Sequence, residues 1–457
     1  MTDRNQSVHF IAIGGIGMSA LAKILLSMGC RVSGSDVREN DVIRDLADAG
    51  AVIHIGHDAK NLPDDCGEVI YSSAIAEDNP ELLRAKELGL AVTHRGALLA
   101  RLFNGGRGIA VAGAHGKTTT SGMIAHILEL EEKQPNIVLG GILPLIGSNA
   151  KKGAGDLWVV EADESDGSFL KLRPYRTVIT NIEPEHMNYY KTEENLEDSF
   201  LTFAGGSEEL ILCLDDKRTR ELASRLDKGF CSYGLGAENV DLTAKNLKAE
   251  GFGVEAEVWF KGEHVADLAL KVPGEHNIAN ALAAMYAAYL EGVPFAAAAE
   301  RLRSFTGTGR RFDVLYNRNG VVVVDDYAHH PTEVRATIKA AKDGGFQRVV
   351  AVFQPHRYSR VKELYKEFGA SFGDADVVII DDIYSAWEEK IEGVSSAMIV
   401  AEAEKNGAKP LYFGDGEKLL DYLAREHRPG DILLLMGAGN IRDTSERLCE
   451  ILMGDEK

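Results

Sequence analysis

Gly113-Ala-His-Gly-Lys-Thr-Thr-Thr120 sets a glycine-rich turn, a lysine and a run of hydroxyls between an apolar stretch at 108–112 and a helix-like segment at 121–130. A strand, such a turn and a helix make a phosphate cradle. Unpaired backbone N–H groups at the helix start point at the anion, Lys117 adds a mobile cation, and Thr118 offers a hydroxyl to Mg2+. The pattern predicts an ATP site that draws on Gly113, His115, Gly116, Lys117, Thr118 and Thr119. It departs from G-x-x-x-x-G-K-[ST] at position 111, which is Val rather than Gly, so carboxylates further along the chain must decide the assignment.

Those carboxylates follow. Asp156-Leu-Trp-Val-Val160 predicts a buried strand running into Glu161-Ala-Asp-Glu-Ser-Asp-Gly167, which puts an acid where a parallel strand meets its loop. Glu161 is the first choice as magnesium ligand. A second strand, Thr177-Val-Ile-Thr180, enters Asn181-Ile-Glu-Pro-Glu-His186, where His186 reads as a second metal ligand or as a base. Mg2+ takes few protein ligands and keeps waters, so Thr118, Glu161 and His186 form a sufficient set. Each alone would read as ordinary surface; strand-end polar clusters gathered in one segment would not.

The elements that must position these residues fall into three segments. The first opens with a strand at 8–13, then Gly14-Gly-Ile-Gly-Met-Ser19, a helix-like 20–28 and a short strand ending near Ser35-Asp36. This is a Rossmann-like start, with glycines for a tight turn against a diphosphate and Asp36 about 20 residues on, where a ribose-binding acid is expected. Dinucleotides, nucleotide sugars and plain close packing all use such a start. Further strands at 52–55 and 68–71 lead into His57-Asp-Ala and Ser72-Ser-Ala-Ile75, at the strand ends where ligands sit in parallel sheets.

Residues 101–107 read as a linker to the second segment, which carries the ATP site and then a β-rich stretch over 210–272, with alternation in Val254-Glu-Ala-Glu-Val258. Gly274-Glu-His-Asn-Ile-Ala-Asn280 starts an alanine-rich helix; His276 and Asn280 share one face of it, facing a nucleotide base or simply capping and bonding at the surface. Residues 307–312 read as a second linker. Beyond it, strands at 321–324, 348–353, 377–380 and 432–436 alternate with helices, which predicts another doubly wound α/β domain. Their ends carry Asp325-Asp-Tyr-Ala-His-His-Pro331, Gln354-Pro-His-Arg-Tyr-Ser-Arg360, Asp381-Asp-Ile-Tyr384 and Gly437-Ala-Gly-Asn440.

A length of 457 residues fits about three domains. The net charge of −20, with no basic block to offset it, argues against nucleic acid as a partner, so anionic substrates must be met by local Lys, Arg and helix termini. Cys30, Cys66, Cys213, Cys231 and Cys449 are scattered without C-x-x-C pairing, as reduced buried thiols would be. The chain enters its first strand almost at once, and no apolar run nears the roughly 18 residues of a membrane span, which predicts a cytoplasmic protein.

Seven stretches together resemble the Mur ligases of bacterial peptidoglycan synthesis, in the branch that adds L-alanine to UDP-N-acetylmuramate. They are Gly14-Gly-Ile-Gly-Met-Ser-Ala-Leu-Ala22, Gly113-Ala-His-Gly-Lys-Thr-Thr-Thr120, Glu161-Ala-Asp-Glu-Ser-Asp-Gly-Ser-Phe-Leu170, Thr180-Asn-Ile-Glu-Pro-Glu-His186, Gly309-Arg-Arg-Phe312, Asp325-Asp-Tyr-Ala-His-His-Pro-Thr-Glu333 and Phe353-Gln-Pro-His-Arg-Tyr-Ser-Arg360. The resemblance implies an α/β chain of three domains. They are a Rossmann-like UDP-sugar domain at 1–105, a central P-loop ATPase domain at 106–307 with a mostly parallel sheet and a smaller β-rich part, and a Rossmann-like domain at 308–457 that binds the amino acid and closes on ATP. The implied reaction forms an acyl phosphate on the lactyl carboxylate, which the alanine amine then displaces, giving ADP and phosphate.

Roles carry over by position. Lys117 and Thr118 would serve the phosphates and Mg2+, with Mn2+ able to substitute, while Glu161 and His186 would hold metal. His276 and Asn280 would approach the adenine end, Arg311 the terminal phosphate and Asp326 the ribose. Tyr327, His329, Arg357 and Arg360 would form the amino-acid pocket, an Arg forking onto the alanine carboxylate. Gly15, Gly17, Met18, Ser19, Asp36, Ser72 and Ser73 would meet the UDP group. Lys117, His186 and Arg311 would carry the catalysis.

Two departures stand out. Several sibling ligases carry a carbamoylated lysine about fifteen residues after the histidine matching His186, where this chain has Leu201, and Lys191 comes too early. Gly113-Ala-His replaces the commoner Gly-Thr-His. The nearest rival is the recycling ligase that attaches a whole tripeptide to the same acceptor; Gly14-Gly-Ile-Gly-Met-Ser19 and Tyr384-Ser-Ala-Trp-Glu388 favour single-alanine addition. An NAD-dependent oxidoreductase or a non-catalytic nucleotide-sugar sensor would not need Lys117, Glu161 and His186 together.

Overall fold

The computed structural model describes residues 6–386 and 388–454. Among them three sheets form, each with helices between its strands, as alternating apolar strands and amphipathic helices dictate. The first holds β1 (Ser7–Ile11), β2 (Arg31–Asp36), β3 (Val52–Ile55), β4 (Glu68–Tyr71) and β5 (Ala91–His94), all parallel in the order β3-β2-β1-β4-β5. The winding reverses between β1 and β4, so the carboxyl ends there form the expected ligand crevice. β1 stops at Ile11 rather than at residue 13 because Ala12 takes a left-handed φ of 61° and begins the turn. The lead-in at 1–5 lies outside the described residues.

The connection from the first sheet to the second is shorter than 101–107, only residues 104–106. Arg101 belongs to the last turn of the helix Arg95–Phe103, and Arg107 opens the next strand. The buried Phe103 ring explains it: the ring packs so closely on Gly108 that a Cβ there would fall 2.1 Å from its Cζ, which leaves only a tight turn between helix and strand.

The second sheet contains β6 (Arg107–Ala112), β7 (Asn136–Leu143), β8 (Ser148–Lys151), β9 (Leu157–Glu161), β10 (Arg176–Ile179), β11 (Glu209–Cys213), β12 (Cys231–Tyr233), β13 (Leu242–Glu250), β14 (Gly253–Phe260) and β15 (Glu263–Leu270). Their order is β15-β14-β13-β12-β11-β10-β6-β9-β7-β8. The strands from β12 to β7 run parallel and β8 returns antiparallel. β6 is an apolar run buried after Arg107, and β10 is buried along its whole length, as parallel strands covered on both faces must be. The β-rich stretch also holds a helix, Lys217–Ser224, begun by Asp216, whose carboxylate accepts the Thr219 N–H at 2.8 Å. Val254, Ala256 and Val258 are buried, as the alternation in β14 predicts.

The third sheet orders β16 (Asp313–Arg318), β17 (Val321–Asp326), β18 (Arg348–Phe353), β19 (Val377–Asp381), β20 (Leu411–Phe413) and β21 (Asp431–Met436) as β16-β17-β21-β18-β19-β20, parallel apart from β16. By contact the chain divides into two compact units. One comprises Met1–Lys245, Glu257–Asp267 and Ala279–Leu302; the other comprises Asn246–Ala256, Leu268–Ile278 and Arg303–Lys457.

One buried charge ties the second sheet to its cover. Arg176, at the start of β10 and 1 % exposed, donates from Nε to Glu209 at 2.9 Å, and its Nη1 reaches Glu291. Arg176→Ala leaves the buried Glu291 carboxylate with only the longer contact to Arg107 at 3.4 Å, so it is expected to destabilise the first unit by about 1.5–3 kcal/mol. Urea melts of the two proteins check this; a change below about 1 kcal/mol would mean that water replaces the guanidinium.

Candidate functional site

β6 delivers its chain to Gly113, whose φ of 138° and a missing Cβ that would lie 2.2 Å from Thr180 Oγ1 admit only glycine. The helix Lys117–Leu130 starts at Lys117 rather than at residue 121, with Gly116 as its left-handed N-cap. Lys117, Thr118 and Thr119 therefore form the first turn, where backbone N–H groups lack intrahelical acceptors and the helix dipole favours an anion. The end of β10 clamps the turn. Asn181 accepts the His115 N–H at 2.9 Å and donates to His115 O at 3.0 Å, and the Thr180 hydroxyl donates to His115 O at 2.6 Å. His115 Nε2 lies 3.3 Å from Glu183. Asn280 also touches the cradle: its Oδ1 accepts the Thr120 hydroxyl at 3.2 Å and would meet a Cβ on Gly116 at 2.5 Å.

The acid beside Lys117 is Glu164, which the sequence reading passed over. Its Oε1 takes Lys117 Nζ at 2.9 Å and lies 3.7 Å from His186 Nε2. Ligand atoms of Glu164, Glu185 and His186 all lie within 4.8 Å of one another. Glu161, the expected ligand, instead accepts the Gly140 N–H through Oε2 at 2.8 Å, and Thr118 is buried in the first helical turn. Burial pushes the Glu164 carboxyl up to about 7, with Asp163 adding to the push and Lys117 offsetting part of it. Burial also works against the Lys117 ammonium, but Glu164, Glu161 and Glu185 outweigh it and hold the lysine above its ordinary value.

This donor set fits a divalent cation. Glu164 Oε2 is buried with no hydrogen-bond partner, carboxylate oxygens suit Mg2+, and an added imidazole also suits Mn2+. His186 sits at a left-handed φ of 57°, a strained setting for a non-glycine residue that functional sites often retain. Leu201 packs its side chain against the apolar core, and Lys191 Nζ bonds Asn188 O on the surface.

At the first sheet, Asp36 closes the glycine turn by accepting the Gly14 N–H at 2.9 Å. Gly15 caps the helix Ile16–Ser27 without a side chain in the way, and Gly17 lies beside Arg95. Met18 and Ser19 bury their side chains, Met18 in the core and Ser19 on Ile16 O at 3.0 Å, and the Ser19 N–H already donates to Gly15 O at 2.8 Å. Ser72 is half-buried, whereas Ser73 is exposed and donates to Asp166 at 2.7 Å. Arg95, also missed, reaches Asp163 at 2.5 Å and Asp166 at 3.4 Å, which joins the crevice of the first sheet to the acidic loop after β9.

In the second unit, Tyr327, His329, Arg357 and Arg360 come together around His356, the histidine of the Gln354–Arg360 stretch. The Tyr327 and His329 rings are 5.2 Å apart, His329 and His356 6.0 Å, and Arg360 Nη1 is 3.2 Å from His356 Nδ1. Burial, then His329, Arg360, Arg357 and Arg310, push His356 down to about 3, so it stays neutral inside a cationic wall. Arg357 has φ 70° and a buried Nε without a partner. Such a pocket suits a small carboxylate. Arg311 pairs with Glu333 at 3.2 Å and stacks on Tyr327, its guanidinium carbon 5.3 Å from the ring centre. Asp326 accepts backbone N–H groups of Phe312 and Ala328, each at 2.7 Å, and burial raises its carboxyl to about 6 against the pull of Arg311. His276 is an exposed residue whose ring crowds Gly274. Glu388 takes the Ser359 hydroxyl at 2.6 Å, and Trp387 lies outside the described residues.

Known proteins match this arrangement throughout. Family models described as Mur ligase family, catalytic domain, Mur ligase middle domain, and Mur ligase, glutamate ligase domain cover residues 7–107, 111–288 and 310–439. The chain is 48% identical to a UDP-N-acetylmuramate–L-alanine ligase of Carboxydothermus hydrogenoformans over 97% of its own length and 96% of that protein. It is 46% identical to the enzyme of the same name from Pelotomaculum thermopropionicum over 100% and 99%. The crystal structure of the UDP-N-acetylmuramate-alanine ligase of Thermotoga maritima superposes with a TM-score of 0.85 at 30% identity, covering 99% of this chain and 100% of that one. A murein peptide ligase of Psychrobacter arcticus, at 23% identity and a TM-score of 0.75, shares the fold over 98% and 99% of the two chains. With all three sheets matched and nearly half the residues shared across the full length, the chain belongs to the Mur ligase family.

Proposed function

We propose that this ligase joins L-alanine to the lactyl carboxylate of UDP-N-acetylmuramate at the expense of ATP, a step of peptidoglycan precursor synthesis. The observation that carries the chemistry is the Lys117–Glu164–His186 constellation at the head of an anion-binding helix. Phosphoryl transfer needs positioning and charge neutralisation rather than covalent help, and a buried lysine kept charged beside a cation-ready carboxylate supplies both. Glu164 and His186 would hold Mg2+ or Mn2+, with Thr118 contributing its hydroxyl. A bound ion would polarise the γ-phosphate oxygens and neutralise charge on the way to an acyl phosphate.

The remaining roles follow the same assignment. The domain at 1–105 takes the UDP group through Gly15, Gly17, Asp36, Ser72, Ser73 and the backbone of Met18, with Ser19 shaping the helix start. The domain at 106–307 takes ATP, with Asn280 at its cradle and His276 at the adenine. The domain at 308–457 supplies Arg311 and Asp326 for the nucleotide and the pocket of Tyr327, His329, His356, Arg357 and Arg360 for alanine. No helix among the described residues is long and apolar enough to cross a membrane, which supports our placing the enzyme in the cytoplasm.

Two experiments test the reading. Turnover is expected to require the sugar nucleotide, L-alanine, ATP and Mg2+ together and to release ADP and phosphate; chromatography that finds AMP and pyrophosphate would replace the acyl phosphate with an adenylate. Arg357→Ala and Arg360→Ala are expected to raise the KM for alanine on the order of tenfold or more while moving the KM for ATP by about twofold or less, because a lost guanidinium leaves the carboxylate poorly paired. Equal effects on both constants would assign these arginines to phosphate.

A further inference from the structure

A buried polar chain in the first sheet is used by none of these steps. Glu81, in the first turn of the helix Pro80–Glu87, is fully buried, and its carboxylate gathers donors from several elements. Oε2 lies 3.2 Å from His9 Nε2 on β1 and accepts the Ser35 hydroxyl of β2 at 2.6 Å. Oε1 accepts Asn61 Nδ2 at 2.6 Å and the Asp58 backbone N–H at 3.2 Å, which pins the loop after β3. Ser35 Oγ stands 2.9 Å from His57 Nδ1, and the neighbouring Gly56 N–H donates to Asp36 O at 2.7 Å. His57 is thus fixed at the carboxyl ends of β2 and β3, beside the acid that closes the glycine turn.

The direction of every bond in this chain is determined. Burial would neutralise Glu81, but the hydrogen bonds from His9, Ser35 and Asn61 outweigh it and hold the carboxyl below its ordinary value. An ionised carboxylate only accepts, so the single proton of the Ser35 hydroxyl goes to Glu81. The Ser35 oxygen must then accept from the imidazole, so a ring with one proton carries it on Nδ1, which also faces Glu81 Oε1 at 3.7 Å, and leaves Nε2 bare. Nε2 makes no hydrogen bond among the described residues, and the His57 side chain is 17% exposed. A bare ring nitrogen repels a phosphate oxygen and suits a ligand donor.

We infer that Glu81 is a positioning residue that, through Ser35, fixes the place and tautomer of His57, whose Nε2 accepts a hydrogen bond from the uridine moiety, either a ribose hydroxyl or the imide N3–H. This rests on the assignment of the first sheet to the UDP group. Glu81→Gln reverses the chain, because its amide N–H donates to Ser35, whose hydroxyl then donates to Nδ1 and moves the ring proton to Nε2.

Two-bond proton–nitrogen NMR correlation on the full chain labelled at histidine reads the tautomer without any ligand. The expected result is Nδ1–H in the parent protein and Nε2–H in Glu81→Gln; Nε2–H in the parent overturns the inference. Calorimetry with UDP, 2′,3′-dideoxy-UDP and N3-methyl-UDP gives the functional arm. One analogue is expected to bind the parent about tenfold more weakly than UDP, about 1.4 kcal/mol, and that difference should shrink to about twofold in His57→Phe and Glu81→Gln. Ser35→Ala breaks the chain at a smaller side chain and gives the same loss of discrimination should Glu81→Gln not fold. Equal binding of all three nucleotides to the parent overturns the inference and leaves the UDP assignment standing; no binding of UDP overturns both.

Discussion

Lys117→Ala is expected to lower turnover on the order of 100-fold to 1,000-fold with the fold intact. A unit charge about 4 Å from a phosphate oxygen is worth up to roughly 4 kcal/mol at an effective dielectric near 20, and part of that is realised only as charge shifts in the transition state. The lysine is charged and held in place: Nζ bonds Glu164 at 2.9 Å and Ala114 O at 3.1 Å, within the turn that opens the helix Lys117–Leu130. Its removal should not unfold the chain. Burial already lifts Glu164 to about 7, so once the cation is gone the carboxyl takes a proton rather than remaining as a buried unpaired charge. Steady-state kinetics of the Ala and Met variants, with thermal melts as control, decide the matter. A loss below about threefold in both would mean that backbone and metal alone carry the phosphates.

The features legible in the sequence were those that occupy contiguous residues. Gly113, Gly116, Lys117 and Thr118 form one turn whose composition dictates its geometry, and apolar runs such as β6 and β21 can only be buried parallel strands. The polar residues that end the strands of the third sheet are contiguous in the same way. What no local pattern shows is the direction of a side chain past the end of a strand. Glu161 is the last residue of β9 and Glu164 lies in the loop beyond. Which of the two turns back to Lys117 depends on the loop that Asp163 and Asp166 shape by accepting the Ser165 and Ser168 N–H groups, each at 3.0 Å. Glu81 was illegible for a related reason: its partners come from β1, β2 and the loop after β3, and pairing across that span depends on register, which no local pattern encodes. No local pattern gives His356 its role: only burial among His329, Arg360 and Arg357 makes it the neutral member.

Glu164→Gln tests Glu164 as the metal ligand, and its expected effect is comparable in size. The change keeps the shape of the side chain and removes one charge. Two consequences oppose each other: the cation loses a carboxylate, while Lys117 is released from its 2.9 Å bond and becomes freer to reach phosphate. A dication gains about twice the Coulomb energy of an ammonium from the same carboxylate at the same distance, so loss of metal binding wins. The variant should therefore need on the order of tenfold or more Mg2+ for half-maximal rate, and its turnover at saturating Mg2+ should fall on the order of 100-fold. Glu161→Gln should do much less to the metal requirement, because Glu161 Oε2 is engaged by the Gly140 N–H at 2.8 Å. Rates measured against Mg2+ concentration, with Mn2+ binding followed by electron paramagnetic resonance, compare the two variants directly. If Glu164→Gln keeps the parental Mg2+ dependence and Glu161→Gln loses it, the metal belongs to the strand end, and the buried Glu164 serves only to hold Lys117.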